Sequence, residues 1–201
     1  MIWRDVFVML KEQKKKVNKY YIDAGAYTGD TLDLFLSKYP NSDEFKIILF
    51  ECNPVLVSKL ISVVNENITL EDKAIWIHDG EINLYLSNES DLSSSLIREK
   101  VNINKNNSII VKCIDFSRYI LDNFSEDDFI VLKLDIEGAE FDVLNKMIDD
   151  GSIKYIDELC GELHAGKIQK PLSKEDELRS KLKMYGKKFM HMDLRLKSWP
   201  K

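Results

Sequence analysis

Residues 19–31 read KYYIDAGAYTGDT, where a strand-like run leads through two glycines into a helix-like run. Residues 19–24 predict a strand, and residues 30–39 predict a helix that Pro40 stops. Gly25 permits a sharp turn between them and lets a ligand approach the backbone closely. Such strand–turn–helix units are typical of α/β folds, which bind ligands beyond the carboxyl ends of their strands.

The same alternation continues along the chain. Residues 46–51 form a short apolar run, typical of a parallel strand buried on both faces. Further strands are predicted over 68–78, 109–114, 129–135, 154–163 and part of 187–197, and further helices over 54–65, 116–123, 138–149 and 173–185. Together they predict an α/β fold: a doubly wound, mostly parallel sheet with helices on both faces.

One stretch interrupts this alternation. Asp79-Gly80 stands between the strand-like runs AIWIH and EINLYL, and Asp-Gly in that position predicts a β-hairpin. Residues 87–108, which follow, are rich in serine, asparagine and charged residues and predict a long loop. We therefore expect an antiparallel element within the mostly parallel fold.

Length, charge and cysteine content narrow the class of protein. The 201 residues suit a single domain over 1–201 that begins with a helix within residues 1–18. A net charge of -5 gives no general attraction to nucleic acid or anionic membranes, and no apolar run is long enough to span a bilayer. Three cysteines without a CxxC pair favour reduced thiols in a cytoplasmic protein over a disulfide scaffold or a zinc site.

The ends of the first two strands indicate a nucleoside-containing cofactor. Glu51 ends the second strand, where its carboxylate could accept hydrogen bonds from both ribose hydroxyls. Gly25 and Gly29 are four residues apart, unlike the G-x-G-x-x-G spacing of dinucleotide sites. Asp23 would repel a pyrophosphate but would suit a ligand with an ammonium and a sulfonium group. The pattern therefore favours S-adenosylmethionine (SAM) over NAD.

Acidic residues and a histidine follow two later strands. Asp135 and Glu137 come directly after the strand over 129–135, and Glu140 lies one helical turn beyond Glu137. Acids at a helix N-terminus can merely stabilise the helix dipole, which accounts for Glu137 and Glu140 better than for Asp135. After the next strand, alternation places Glu162 and His164 on one face, which makes His164 a candidate general base.

In combination, these motifs resemble the FkbM-type methyltransferase family. The resemblance rests on IDAGAYTGDT, FECNP, the DGEINLYL run with SSSL after it, VKCIDF, LKLDIEGAE and GELH, and it covers about residues 20–165. It implies a class I SAM-dependent fold, which is Rossmann-like, with a seven-stranded sheet whose last strand runs antiparallel. It also implies O-methylation, often of sugar hydroxyls in glycans or of natural products.

The resemblance also implies roles for individual residues. Glu51 would bind the ribose with support from Asn53, and Asp135 would face the reactive methyl group. The methionine end of SAM would lie against Asp23, Gly25, Thr28 and Gly29, the adenine against Asp72, Lys73 and Ala74, and the closing loop would contribute Ser94 and Ser95. Ala26, Tyr27 and Cys52 complete the expected cofactor site. The segment 166–201 would shape the acceptor pocket.

The expected reaction requires that an acceptor hydroxyl lose its proton. We expect His164 to take that proton, with Glu137 or Glu162 orienting the imidazole. In a variant of this mechanism, Asp135, Glu162 and His164 hold a divalent cation, Mg²⁺ or Mn²⁺, which acidifies the hydroxyl. The expected partner is a sugar or glycan acceptor, and the short chain is compatible with one domain of a larger glycan-modifying protein.

The sequence alone leaves three alternative functions open. Methylation of nucleic acid is disfavoured by the acidic balance and by the absence of an Asp-Pro-Pro-Tyr or Asn-Pro-Pro-Tyr run. An NAD-binding Rossmann oxidoreductase is disfavoured by the glycine spacing. A non-catalytic module that keeps an unused SAM pocket is disfavoured by the combination of the acidic residues with His164.

Overall fold

The computed structural model describes residues 17–87, 94–168, 172–192 and 199–200. The predicted helix over 1–18 falls almost entirely outside the described residues. Nine strands are present in the described part: β1 Lys19–Ala24, β2 Phe45–Phe50, β3 Ile68–Glu71, β4 Ala74–Trp76, β5 Gly80–Ser87, β6 Ile103–Asp115, β7 Phe129–Leu134, β8 Glu158–Gly161 and β9 Phe189–His191. The α-helices are α1 Asp30–Lys38, α2 Pro54–Leu60, α3 Phe116–Asn123, α4 Glu140–Asp150 and α5 Leu172–Met184.

Six strands form the main sheet in the order β3-β2-β1-β7-β8-β9, and all neighbouring pairs are parallel. The register aligns Ala24 with both Phe50 and Leu134, and Leu134 with Gly161. The carboxyl ends of four strands therefore meet at one edge. The resemblance implies a seventh, antiparallel strand, which the described residues do not include; of the predicted final stretch 187–197, residues 193–197 lie outside the described part.

Both faces of this sheet are covered, as the apolar strands predict. Neighbouring residues of β1 pack on opposite sides: Tyr21 joins one buried cluster with Leu32 and Phe35 of α1, while Ile22 joins the other with Leu144 of α4. Trp199 packs edge-on against the rings of Tyr21 and Phe35, so this C-terminal tryptophan belongs to the core on the α1 side. In the described residues, no helix combines the length and apolar character needed to cross a membrane.

The second sheet corrects the hairpin prediction. Its order is β4-β6-β5, with β6 parallel to β4 and antiparallel to β5. Ala74 and Gly80 both pair with Cys113, so β6 lies between the two segments that Asp79-Gly80 joins. The hairpin prediction is wrong because the longer β6, distant in sequence, pairs with both segments.

Three predicted boundaries also differ from the structure. The single strand expected over 68–78 is two strands, β3 and β4, because the chain leaves the main sheet between Glu71 and Ala74. The loop expected over 87–108 contains the first six residues of β6. The strand expected over 154–163 is shorter, because Ser152–Tyr155 forms a 3-10 turn before β8.

Two glycines allow the strand ends to approach one another. Gly25 has a φ of +81°, and a β-carbon there would lie 2.0 Å from the carbonyl oxygen of Asp135. Gly161 has a φ of +147°, and its β-carbon would lie 1.8 Å from the carbonyl oxygen of Leu134. A side chain at either position would push apart the strands whose carboxyl ends meet at this edge of the sheet.

Candidate functional site

A cavity of about 340 Å³ lies at the carboxyl edge of the main sheet, within the range of small-molecule sites. Its wall takes residues from the segments that follow β1, β2, β7 and β8, and from β4, β5 and residues 94–96. The wall includes these residues of the predicted cofactor site: Gly25, Ala26, Tyr27, Glu51, Cys52, Asn53, Lys73, Ala74, Ser94, Ser95 and Asp135.

Four residues of the predicted cofactor site lie off this wall. Asp23 is buried within β1, where its carboxylate accepts a hydrogen bond from Thr31 Oγ1 at 2.5 Å. Gly29, with a φ of 93°, precedes α1, and Thr28 is half-buried beside it. Asp72 is exposed where the chain passes between the two sheets. Asp23 is therefore buried against Thr31 instead of lining the cavity. Asp72 faces solvent.

Glu51 is a buried carboxylate in the cavity wall. Its Oε1 accepts hydrogen bonds from the backbone N–H groups of Cys52 and Asn53, and its Oε2 accepts one from Tyr27. Burial raises the pKa of Glu51, while these backbone donors oppose the rise. Since a carboxylate oxygen can accept two hydrogen bonds, Oε2 keeps capacity for a ligand hydroxyl. Asn53 caps α2 by accepting from Val55 N–H at 3.1 Å.

Lys133 is a residue of the cavity wall that the sequence analysis did not identify. This buried side chain on β7 lines the cavity and donates to the carbonyl oxygen of Gly25 at 2.6 Å. Its Nζ lies 3.1 Å from Asp23 Oδ1 and 4.0 Å from Asp135 Oδ2. Burial lowers the pKa of Lys133, but Asp23 and Asp135 outweigh it and the pKa rises. A lysine inside the apolar run FIVLKL is the sequence signal that could have identified it.

The imidazole of His164 is held by Glu140. His164 Nδ1 lies 2.9 Å from Glu140 Oε1, which also accepts from Ile136 N–H, and Gly138 N–H donates to both carboxylate oxygens. Because an ionised Glu140 offers only acceptors, Nδ1 carries the proton in the neutral imidazole, which leaves the lone pair on Nε2. The sequence analysis assigned this orienting contact to Glu137 or Glu162. Glu140 makes it instead, because the turn before α4 brings its carboxylate back beneath the loop.

Three acids surround the other ring nitrogen. His164 Nε2 lies 3.5 Å from Glu137 Oε2 and 3.7 Å from both Asp135 Oδ1 and Glu162 Oε2, which is beyond hydrogen-bonding distance. The three acids line the cavity, whereas His164 lies behind them with no exposed side-chain surface. The structure thus brings together all four residues predicted for catalysis.

The charges in this cluster perturb one another. Burial lowers the pKa of His164, but the hydrogen bond to Glu140 and the charges of Glu137 and Asp135 outweigh it, so the pKa rises above its usual value. Burial raises the pKa of Asp135 to about 6, against the opposing effect of Lys133 and His164. The cluster therefore stabilises positive charge placed among its carboxylates.

The segment 94–101 ties this cluster to the cavity wall. Ser95 is buried, and its hydroxyl donates to the carbonyl oxygen of Glu137 at 2.6 Å. Lys100 is also buried, and its Nζ lies 2.5 Å from Glu137 Oε2. Ser95 pairs with Tyr85 of β5 as well. Ser94 and Ser95, predicted to close over a cofactor, thus line the wall beside the acidic cluster.

Charge decides which ligands the wall can accept. Five acids line it, namely Asp30, Glu51, Asp135, Glu137 and Glu162, against three lysines, namely Lys73, Lys133 and Lys167. Lys73 is already paired with Glu71, and Lys133 with Asp23. Such a wall favours a ligand with cationic groups and repels a pyrophosphate.

The chain matches a known protein family. The model of the methyltransferase FkbM domain matches residues 23–189, most of the described chain. A crystal structure of a methyltransferase FkbM from Methylobacillus flagellatus KT is similar at 17% sequence identity and a TM-score of 0.39. That similarity covers 67% of this chain and 30% of the other, so the match spans less than a third of that structure. No curated protein matches the chain significantly.

Proposed function

The chain belongs to the FkbM methyltransferase domain family, and we propose that it transfers a methyl group from SAM to a hydroxyl group of a sugar in a glycan or glycoconjugate. The observation that carries this proposal is the cavity wall. Glu51 lies on one side with acceptor capacity for ribose hydroxyls, and the cluster of Asp135, Glu137 and Glu162 lies at the strand ends beside it. One wall therefore offers a cofactor half and an acceptor half.

The donor set of the wall fits SAM. The excess of acids suits the sulfonium and ammonium groups of SAM, and Glu51 suits its ribose. The apolar side chains of Ile75, Leu84 and Leu96 line the cavity near Ala74 and would enclose the adenine. When bound, SAM would supply a methyl group that its sulfonium activates. The methyl group bonds to the acceptor oxygen as its bond to sulfur breaks, which leaves S-adenosylhomocysteine.

The protein's own residues would position the two reactants. The backbone carbonyl oxygens of the turn at Gly25, Ala26 and Tyr27 would accept from the ammonium group of SAM, since the three N–H groups there already donate to Phe50 and Glu51. Lys133 holds this turn in place by donating to the carbonyl oxygen of Gly25. Holding the acceptor hydroxyl in line with the methyl group can supply several kcal/mol of the rate enhancement, about 7 or more in favourable cases. Positioning is thus the first task of this site.

The acceptor hydroxyl must also lose its proton to the cluster. Two routes fit the residues: His164 Nε2 takes the proton directly, or Nε2 and the carboxylates hold a cation that lowers the pKa of the hydroxyl. His164 lies behind Asp135, Glu137 and Glu162, so a hydroxyl in the cavity would approach Nε2 through the space between these three acids.

The acidic wall also bears on the class of acceptor and cofactor. Its carboxylates can accept hydrogen bonds from sugar hydroxyls, whereas they would repel the phosphates of nucleic acid and the pyrophosphate of NAD. The three cysteines are unpaired, which is the basis for proposing a cytoplasmic location. Membership of a larger glycan-modifying protein remains part of this proposal.

Calorimetry with S-adenosylhomocysteine tests the cofactor assignment. We expect micromolar binding to the wild type and an affinity about 10–100-fold lower for Glu51→Gln, since a hydrogen bond to a carboxylate contributes about 1.5–3 kcal/mol. Glu126→Gln, which removes an exposed acid beyond α3, serves as the matched control and should bind like wild type. Binding of NAD instead, or equal affinity in Glu51→Gln, would overturn the assignment. Binding without transfer to any hydroxyl acceptor would indicate a non-catalytic module.

A further inference from the structure

We propose that Asp135, Glu162 and His164 form a binding site for a divalent cation, Mn²⁺ or Mg²⁺, at the edge of the cavity. The site deepens the proposed function, on which only the role of the ion in methyl transfer rests. The binding of the ion itself is independent of SAM and can be measured without it.

The first observation concerns buried polar atoms of this cluster that have no hydrogen-bond partner in the described part of the chain. They are Nε2 of His164, Oδ1 of Asp135 and Oε2 of Glu137, of which the last has an ion pair with Lys100. His164 is only 2% exposed, and its Nδ1 is already occupied by Glu140. A buried imidazole nitrogen without a partner is costly, and this one faces carboxylates whose oxygens lie too far away to bond with it. An ion among these atoms would satisfy both Nε2 of His164 and Oδ1 of Asp135.

The second observation is the spacing of the donors. Nε2 of His164 lies 3.7 Å from Asp135 Oδ1 and 3.7 Å from Glu162 Oε2. Two donors bound to an octahedral ion at about 2.0–2.2 Å are roughly 3.0 Å apart at right angles and about 4.2 Å apart in line. The two distances fall between these limits, so an ion could contact Nε2 together with either carboxylate. Binding all three donors at once requires Glu162, whose side chain is 42% exposed, to turn toward Asp135.

Two neighbouring acids flank the proposed site without serving as ligands. Glu140 forms a close group with Asp135 and His164, but its Oε1 lies 2.9 Å from Nδ1 of His164, the ring nitrogen that does not face the proposed ion. Its bond to His164 Nδ1 is the carboxylate–imidazole contact that typically orients metal-binding histidines. Glu137 Oε2 is paired with Lys100. Glu140 is therefore a positioning residue, and Glu137 completes the negative surroundings.

The third observation is the local charge. Five carboxylates are grouped in this region, on Asp23, Asp135, Glu137, Glu140 and Glu162. The ammonium groups that pair with them in the described residues belong to Lys100 and Lys133. Two further positive charges nearly balance the group, and a divalent cation supplies them in one ion. Oxygen ligands with one imidazole suit Mn²⁺, and Mg²⁺ when water completes the shell.

This site would act on the acceptor hydroxyl from the open side of the cluster. Glu162 keeps 42% of its side-chain surface exposed, whereas the side chain of His164 has none. A cation between them would coordinate a hydroxyl that enters the cavity and lower its pKa, so that the hydroxyl proton passes to solvent water at the open side of the cluster. The buried position of His164 therefore favours the cation route over direct proton transfer to the imidazole.

Titration of metal-stripped protein with Mn²⁺, followed by electron paramagnetic resonance and calorimetry, tests the site. The signal of free Mn²⁺ is expected to fall as one ion binds per chain, with a dissociation constant below about 1 mM. Asp135→Asn, Glu162→Gln and His164→Gln should each weaken binding by at least about tenfold, as should Glu140→Gln. The control Glu99→Gln, which alters an exposed acid between β5 and β6, should bind like wild type.

No saturable binding, or binding that Glu162→Gln leaves unchanged, would overturn the proposal. Glu162 is the partly exposed ligand, so this variant keeps the test decisive even when a variant of the buried residues does not fold. Parallel titration with S-adenosylhomocysteine separates the two proposals. Binding of Mn²⁺ without the nucleoside would reject the proposed function alone, and binding of the nucleoside without Mn²⁺ would reject the cation site alone.

Discussion

Replacing Glu140 by glutamine removes one negative charge from a side chain without exposed surface while keeping its size. In the wild type, its two oxygens accept from the N–H groups of Ile136 and Gly138 and from His164 Nδ1. Glutamine has one acceptor oxygen and one donor NH₂ group. At least one of these three donors must therefore face another donor.

The structure sets the size of the effect. A hydrogen bond to a charged group contributes about 1.5–3 kcal/mol, and a buried donor left without a partner costs about 1–3 kcal/mol. Because some of these bonds survive in weaker form, we expect Glu140→Gln to lower the free energy of unfolding by about 2–4 kcal/mol. For a domain of 201 residues, this corresponds to a fall in Tm of about 4–15 °C.

The same substitution should change the titration of His164. The contact with Glu140 is the largest influence that raises the pKa of His164. Glu140→Gln should therefore lower this pKa, so that the imidazole loses its proton at a lower pH than in wild type. NMR of the imidazole C–H signals in metal-free protein measures the shift, and His164→Gln assigns the signal among the three histidines.

Thermal and urea unfolding monitored by circular dichroism provide the stability measurement. Glu126→Gln, an exposed replacement of the same chemistry, should leave Tm unchanged. The reasoning is refuted when Glu140→Gln melts with the wild type and the pKa of His164 stays where it was. A loss of stability with an unchanged pKa would reject the orienting contact and leave Glu140 a role in the α4 turn alone.

Further predictions concern the strand ends. In urea titrations, Gly25→Ala should lower the free energy of unfolding by about 1–3 kcal/mol more than the control Gly151→Ala. The two glycines have similar φ angles, +81° and +83°, but of the two only Gly25 has backbone atoms within 4 Å of the added carbon. Equal losses of stability would disprove the clash at Gly25. Lys133→Met should cost about 3–5 kcal/mol in the same assay, since it leaves Asp23 buried without its cation, and a neutral result would contradict that pairing. Cys160, buried with its pKa raised to about 12, should resist thiol reagents at pH 8 until the protein unfolds, and rapid labelling detected by mass spectrometry would show otherwise.

Local sequence patterns were most reliable where packing and capping agree with them. The predicted strand over 19–24 and helix over 116–123 match β1 and α3 residue for residue. Asp115 begins α3 by accepting from Arg118 N–H, and the apolar residues of β1 are buried between two layers of helices. In both cases the favourable local conformation is also the one that the fold buries.

Local patterns failed where a distant segment competes. Asp79-Gly80 has the composition of a hairpin turn, yet Cys113 of β6 pairs on both sides of it. Asp79 instead accepts a hydrogen bond from Asp115 N–H at the end of β6. β6 has 13 residues and therefore offers more backbone hydrogen bonds than a two-residue turn. The sequence around residue 79 does not indicate that this distant strand pairs there.

The site shows the same division. The alternation of strands with helices and the acids at the strand ends predicted a cavity edge with Glu51, Asp135 and Glu162, because parallel strands bring their carboxyl ends to one edge of the sheet. By itself, the sequence therefore determined the sheet and the residue types at its edge. The tertiary structure decided which of them make contact: it placed Glu140 on His164 and moved Asp23 beneath the turn. Those contacts depend on how the chain bends between strands to satisfy buried donors and charges, which no local pattern records.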